Sequence, residues 1–474
     1  MKSFKETEME KFNNLFREFE NKKVVLYGIG RATQNIISAN TKMNIIGLLD
    51  KEKAGNMIYG LPILKLEEAE RLADIIIINT ADVYWPIIYQ RIKDVNLPIY
   101  LKNGYLAKEY FSEFDKEEIM NLGKSYIQEK IINIINAHIP QISSGEVIYN
   151  DYHSWGFCIW GPVIWGYVAW LYEISKQDGC KELLFLSRDG YLLKKNFDYY
   201  CNLHDFKDIT SKYVVSGRRI TLATKNVDVK DIYDYVKYDF RGTFRELLSL
   251  RFDLEISKEE KFADETICLP RDIDRVREYI LLYWEQIREI IQNENMGYVE
   301  YLNKLKIGNE YGIVDTGFSG YIPDSLESIL GKKSRGFYFF YGNKDGSNPY
   351  GKKINPCFQM SSDCLGERCN LRKNVFLIES VFTAPTGTAV KVIDEKIICR
   401  ENKRNFEIND EINRGIEDFI NVMKTVPRMN VTEMKGICLF VDKLFGYINR
   451  HSFLDKNLQE KLIWDDAWSG NITN

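Results

Sequence analysis

Two aspartates and a serine, each standing just after a short apolar run, carry the chemistry this chain could do. Asp189 follows Leu183 to Leu186 by way of Ser187 and Arg188. Ser216 follows Tyr213-Val214-Val215, and Asp315 follows Gly312-Ile313-Val314. An apolar run that stops abruptly at polar residues and glycine reads as a buried strand, and open α/β sheets build sites at the carboxyl ends of such strands. If the three strands are parallel neighbours, Asp189, Ser216 and Asp315 meet at one sheet edge. Two carboxylates would suit Mg²⁺, and the hydroxyl with Arg218 and Arg219 would cradle a phosphate. One carboxylate could instead transfer a proton. The plainer alternative is that Asp189-Gly190 and Asp315-Thr316-Gly317 are caps and turns at strand-to-helix junctions.

A second constellation lies near the N-terminus. A strand over Lys23 to Tyr27 runs into Gly28-Ile29-Gly30-Arg31-Ala32-Thr33, a helix follows to about Ala39, and a second strand, Ile45 to Leu49, ends at Asp50. Gly28 and Gly30 would let the backbone approach a phosphate at the helix N-terminus, and Asp50 is placed to accept from a ribose hydroxyl. Thr33 stands where the fuller pattern has a third glycine, so the match is partial. Further strands are expected at Asp74 to Asn79 and Ile99 to Leu101, with a helix around Leu66 to Leu72. From roughly Lys22 to Asn103, with "IIGLLD", "GLPIL" and "DIIII" in order, the chain resembles the small Rossmann-like domains attached to bacterial sugar-modifying and polysaccharide-assembly proteins. That resemblance implies a nucleotide or nucleotide-sugar site; the alternative is a glycine turn in a docking domain. A plain NAD-linked enzyme finds no partner for hydride chemistry here.

These residues need elements to hold them. The 474 residues suggest two or three domains with sizeable cores. A net charge of -4 and a pI of about 5.9 give no case for bulk nucleic-acid binding. Nine Cys show no pairing pattern, which points to reduced thiols in a cytosol. Cys357, Cys364 and Cys369 lie close in sequence but lack a CxxC pair. Met1 to Glu20 is charged and lacks the apolar core of a signal peptide. Tyr152 to Tyr172 is long enough to span a membrane, but its glycines, Pro162 and scattered Trp fit a buried core helix better. Phe111 to His138 reads as a linker helix, with a boundary at Pro140 to Gly145. The stretch from 228 to 306 is mostly of helical periodicity with no strong strand. Arg335 to Tyr341 is an aromatic strand, and Glu407 to Ile463 reads as helices. The four His are scattered and suggest no triad or metal site.

The second half becomes recognisable through "GPVIWGYVAWL" at Gly161 to Leu171, "FLSRDGYLL" at Phe185 to Leu193, "VSGRR" at Val215 to Arg219, "VDTGFSG" at Val314 to Gly320, and "ESVFTAPTGT" at Glu379 to Thr388. Over about Asp151 to Val392 the chain resembles the haloacid dehalogenase-like superfamily, in particular predicted hydrolases found with bacterial polysaccharide-biosynthesis genes. The resemblance implies Asp189 as acid/base, Ser216 as the phosphate-binding hydroxyl, Arg218 or Arg219, or else Lys225, in place of a lysine, and Asp315 as the metal-binding acid. The residues between Ser216 and Asp315 would be a cap. One departure matters: the nucleophilic aspartate of the family should stand at 187, and this chain has Ser187, a poor nucleophile without an adjacent base.

The expectation is therefore an α/β protein with two Rossmann-like parallel-sheet domains: a nucleotide-binding domain at 1–105, a linker helix at 106–150, a haloacid dehalogenase-like domain at 151–395 with a helical insertion at about 228–306, and a helical C-terminal region at 396–474. The expected activity is that of a cytoplasmic bacterial enzyme of surface-polysaccharide biosynthesis. It would act with Mg²⁺ on a sugar phosphate or nucleotide sugar, by hydrolysis or transfer. Asp189 and Ser187 are the catalytic candidates, Asp189 and Asp315 the metal ligands, Ser216, Arg218 and Arg219 the phosphate ligands, and Gly28, Gly30 and Asp50 the nucleotide site. The alternative is a non-catalytic nucleotide-sugar-binding scaffold for a partner glycosyltransferase. Neither version involves nucleic acid or a transmembrane segment; peripheral membrane contact stays open.

Overall fold

The computed structural model describes residues 9, 12–38, 41–51, 53–80, 84–108, 126–139, 147–222, 228, 232–233, 236, 240–317, 321–341, 354–359, 369–393, 395–400 and 406–462. The chain divides into two compact units, meeting in sequence at Asn121 and Leu122. Both are mixed α/β with sheets of mainly parallel strands.

The first unit holds β1 (Val24–Tyr27), β2 (Ile45–Leu49), β3 (Met57–Ile58), β4 (Leu61–Leu64), β5 (Ile75–Ile78) and β6 (Ile99–Leu101). They lie in the order β3-β4-β2-β1-β5-β6. All pairs are parallel except β3 with β4. Every residue of β1 and β5 is buried. Apolar runs without polar alternation arise because both faces of the sheet are covered. Val25, Tyr27, Ile76 and Ile78 face one core together with Trp85 and Ile88. Val24, Leu26, Ile75 and Ile77 face the other, with Phe12, Phe16 and Ile36. Each such Ile or Leu stabilises the fold by roughly 1.5–3 kcal/mol relative to exposure. The strand β4, quoted above only as part of a motif, was not anticipated as a sheet member.

The second unit holds β7 (Val147–Tyr149), β8 (Glu182–Leu186), β9 (Thr210–Val214), β10 (Phe240–Thr243), β11 (Thr266–Leu269), β12 (Tyr311–Asp315), β13 (Arg335–Tyr341), β14 (Ile354–Gln359), β15 (Ala389–Ile393), β16 (Lys396–Cys399) and β17 (Ser452–Leu454). Its main sheet is parallel, in the order β14-β13-β12-β8-β9. Alternate residues again point to opposite faces. Leu183, Phe185, Val314, Phe337 and Phe339 join a core built on the helix Tyr152–Gln177 and on the C-terminal helices Phe406–Val422 and Val431–His451. Leu184, Leu186, Val214 and Ile313 join a second core with Ile220, Tyr298, Leu302 and Leu326. The 26-residue helix Tyr152–Gln177 is apolar enough to cross a membrane by composition, yet 94% of its apolar window is buried in the protein. It is a core helix, as its glycines and Pro162 suggested.

Several expectations about elements are corrected. The 228–306 stretch is not strand-free: β10 and β11 pair antiparallel, Phe240 opposite Leu269, beneath the helices Phe244–Phe252 and Ile273–Leu282. This insertion has its own core around Phe240, Phe244, Leu248, Ile267 and Ile280. Short β-runs flanked by Arg, Gly and Pro carry too little apolar length to stand out in sequence. The 396–474 region is not purely helical either. The hairpin β15–β16 straddles residue 395, and β17 pairs with β7. Of the expected linker helix, residues 111–125 lie outside the described residues, and the helix Tyr126–His138 buries Ile131 and Ile135 in the core of the second unit.

Candidate functional site

The strands β9, β8 and β12 are adjacent and parallel, so their carboxyl ends lie side by side. Ser187, Asp189, Ser216 and Asp315 all leave the sheet at that edge. Asp189 stands at the start of the helix Gly190–Leu203, but its side chain makes no capping hydrogen bond to that helix. One oxygen, Oδ2, instead accepts a 2.8 Å hydrogen bond from the Thr316 hydroxyl across on the β12 side. The capping explanation therefore does not account for Asp189. Asp315, the last residue of β12, accepts a long 3.5 Å contact from Gly317 N–H, and the Thr316 N–H also favours its charged form. Gly317 has φ +137°, and a Cβ there would sit 2.5 Å from Phe340 O. That turn is open to glycine alone, and it sets where Thr316 points.

The two carboxylates feel each other. Asp315 is pushed up to about 7, first by burial and next by the Asp189 carboxylate; Arg218 and backbone N–H groups oppose this without cancelling it. The residue keeps a partial opening to solvent even so. A mostly buried acid facing a like charge, with two backbone N–H groups as its donors, could hold a cation. Its ligands are hard oxygens, which suit Mg²⁺. Among the described residues, no group of three or more His, Cys, Asp and Glu side chains gathers as a metal cluster. The candidate pair would supply two protein ligands, as in Mg²⁺ sites where waters and phosphate complete the shell.

Ser187 stands apart from this chemistry. Its Oγ accepts from Ser216 N–H at 2.8 Å and donates to Ser216 C=O at 2.7 Å, while Ser187 N–H bonds Val214 C=O at 2.9 Å. The side chain so continues the β8–β9 ladder by one rung. Its proton is held by a carbonyl, which is no base. Ser216, in contrast, is 2% exposed, and its Oγ has no hydrogen-bond partner among the described residues. Its hydroxyl is the one left available by this pairing.

The two arginines diverge. Arg218 is exposed and close enough to lower Asp315. Arg219, expected beside the phosphate, is turned away. It is 4% exposed and makes a bidentate pair with Glu294, at 2.6 and 3.1 Å, plus a 3.0 Å bond to Phe252 C=O. Its guanidinium joins the insertion to the loop after β9 and is not a phosphate ligand in this arrangement. Lys225 and the end of the VDTGFSG motif, residues 318–320, lie outside the described residues. Sequence reasoning passed over Thr316. The signal for Thr316 was its place directly after Asp315.

In the first unit, Gly28 (φ +114°) ends β1, and a Cβ there would lie 2.6 Å from Thr80 Cγ2. Thr33, at the position of the missing third glycine, is fully buried. It donates to Gly28 C=O at 2.6 Å and accepts from Asn79 Nδ2 at 3.0 Å. A threonine here fastens the glycine turn to the end of β5 where a glycine would only leave room. Gly30 is exposed, with nothing within 4 Å of where its Cβ would stand. Asp50 follows β2, the neighbour of β1, so Gly28, Gly30 and Asp50 share the carboxyl edge of this sheet. Comparison with protein-family models and with curated proteins returns no match for this chain.

Proposed function

We propose that the second unit is haloacid dehalogenase-like and binds a phosphorylated ligand, a sugar phosphate or nucleotide sugar, at the strand-end site, and that the first unit is a Rossmann-like nucleotide-binding domain. The protein would serve surface-polysaccharide biosynthesis as a phosphoryl- or glycosyl-transferring enzyme. The observation that carries this reading is the meeting of Asp189, Asp315 and the unpartnered Ser216 hydroxyl at one edge of one parallel sheet. Asp189 and Asp315 would hold Mg²⁺, which when bound neutralises phosphate charge. Ser216 Oγ donates to a phosphate oxygen and Arg218 offers a cation at the mouth. Asp189, oriented by Thr316, is the candidate to take or give a proton. Ser187 acts as a rung between strands, which argues for transfer to an acceptor over the phosphoaspartyl route.

The same Ser187 geometry favours a second reading, a non-catalytic nucleotide-sugar scaffold for a glycosyltransferase. One experiment separates the two. Thermal unfolding with sugar phosphates and nucleotide sugars, with and without Mg²⁺, finds the ligand, because binding to the native state raises the melting temperature. Asp189→Asn is then assayed with that ligand. A loss of turnover of about 100-fold or more with binding retained supports the enzyme. No turnover by the wild type, with binding intact, supports the scaffold. No ligand shift of any kind sinks both.

A further inference from the structure

The ESVFTAPTGT motif leaves the helix Val375–Val381 and ends at β15, with its middle residues between two cores. Val381 and Phe382 belong to the core on the Tyr152–Gln177 side of the main sheet, and Ala389 to the core on the opposite side. Both ends of the segment lie at the carboxyl end of that sheet. The Phe382 ring meets Phe339 edge-on at 5.2 Å, and Phe339 stands one residue beyond Tyr338, the register partner of Asp315. Asn409 fixes the backbone just before, its amide donating to Ser380 C=O at 3.0 Å and to Val381 C=O at 2.8 Å. At the other end, the Ala389 carbonyl oxygen lies 3.5 Å from where a Cβ on Gly217 would stand. Gly217 separates Ser216 from Arg218.

Phe339 is on β13 and Gly217 follows β9, with β12 and β8 between them. The strand spacings to be crossed come to roughly 14 Å, and the chain from Phe382 to Ala389 reaches at most about 25 Å. The direct path runs past the carboxyl ends of β12 and β8, which lead to Asp315 and Asp189. Burial along the segment fits such a crossing: Thr383 and Ala384 are buried, Pro385 and Thr386 exposed, Gly387 buried, Thr388 exposed and Ala389 buried. A short loop fastened to rigid elements at both ends is where binding residues are commonly carried. No residue from Ser380 to Val390 is charged, in contrast to Asp189, Asp315 and Arg218. What the segment exposes is a proline ring and two threonine hydroxyls. A hydroxyl both donates and accepts, as a sugar hydroxyl does, and a few such groups suffice to orient a ligand. We propose that Pro385 to Thr388 is the sugar-recognising wall of the strand-end site, with the Thr386 and Thr388 hydroxyls bonded to the sugar hydroxyls of a phosphorylated sugar. The inference rests on the phosphate reading of this site and adds the subsite for the neutral part of the ligand.

The test titrates the full chain in Mg²⁺ with inorganic phosphate and with a panel of hexose phosphates, by calorimetry. The variants are the double Thr386→Ala, Thr388→Ala and the double Thr386→Ser, Thr388→Ser, which keeps both hydroxyls. We expect the wild type to bind at least one hexose phosphate more tightly than inorganic phosphate. The alanine variant should lose about tenfold or more in affinity for that sugar phosphate, with inorganic phosphate bound as before. The serine variant should bind both as the wild type does. A wild type without preference for any hexose phosphate, or an alanine variant with unchanged sugar-phosphate affinity, overturns the wall and leaves the phosphate reading standing. An equal fall for both ligands makes the segment structural and overturns the wall too. A serine variant as weak as the alanine one assigns the effect to packing and overturns the hydrogen bonds. Absence of binding of any of these phosphates by the wild type overturns the phosphate reading of the site, and the wall with it.

Discussion

Asp315 sets the acid–base behaviour of the strand-end site at the residue scale. Its carboxyl sits at about 7 when folded, above the ordinary carboxylate range near 4 that it regains on unfolding. Between those values the folded state holds a proton that the unfolded state has released. Stability therefore falls as pH rises from about 4 to about 7, and the penalty is complete above that. We expect the ligand-free protein to lose roughly 1–3 kcal/mol across this window, moderated by the partial solvent access of the residue. Asp315→Asn should remove that component and raise the melting temperature at pH 8. Mg²⁺ should stabilise the wild type more at pH 8 than at pH 5, because the ligand must shed its proton first. Chemical denaturation at several pH values checks this, and an Asp315→Asn protein with an unchanged pH slope would refute it. The three strand-end residues were legible because each closes an apolar run. Thr316 was not, because a threonine in a turn is ordinary until its hydroxyl is located.

The element that organises the site is the helix Trp284–Lys304, which spans two cores. Ile287 and Ile291 pack in the insertion, and Tyr298 and Leu302 pack under the main sheet. Between them Glu294 takes the buried pair with Arg219. One turn further on, Tyr298 O–H donates to Val215 C=O at 3.1 Å, and Tyr301 Oη accepts from Val215 N–H at 2.9 Å. The loop that carries Ser216 is thus fastened to this helix by three side chains. Burial raises Glu294 despite the adjacent guanidinium, so desolvation outweighs attraction there. Arg219→Met alone should therefore cost about 3–5 kcal/mol by leaving a buried carboxylate unpaired, and the double Arg219→Met, Glu294→Met should recover most of it. Denaturant unfolding of both variants measures the difference; a double variant as unstable as the single one would contradict this account. Helical periodicity was visible over Asp274 to Asn293 and Gly297 to Leu305, but the break falls at 283 and one helix runs on through Glu294. The role of that helix was not visible, since Glu294 lies 75 positions from Arg219 and nothing local marks the pair.

Over the whole molecule, each unit carries cores of its own. Val25 and Ile76 belong to one set, and Trp160, Phe185 and Phe419 to another. Two units whose cores share no residues should melt as two transitions in scanning calorimetry. A chain lacking residues 1–121 should keep its response to phosphate with Mg²⁺, because every residue assigned to the strand-end site lies after Leu122. A single indivisible transition would show that the two units unfold together, and loss of that response would show that the site needs residues 1–121.

The amino-acid sequence by itself determined the α/β class, the buried strands, the core nature of the Tyr152–Gln177 helix and the polar residues that follow each strand. Those features are local: four apolar residues and a breaker, or a 3.6-residue period, occupy one short window. Only the tertiary structure decided that β8 lies between β9 and β12 and that β10 and β11 form a hairpin. It also turned Arg219 inward to Glu294 and made Ser187 a rung between strands. Each of these depends on partners dozens of residues away, chosen by packing and hydrogen-bond satisfaction across the sheet, which no window of the sequence contains.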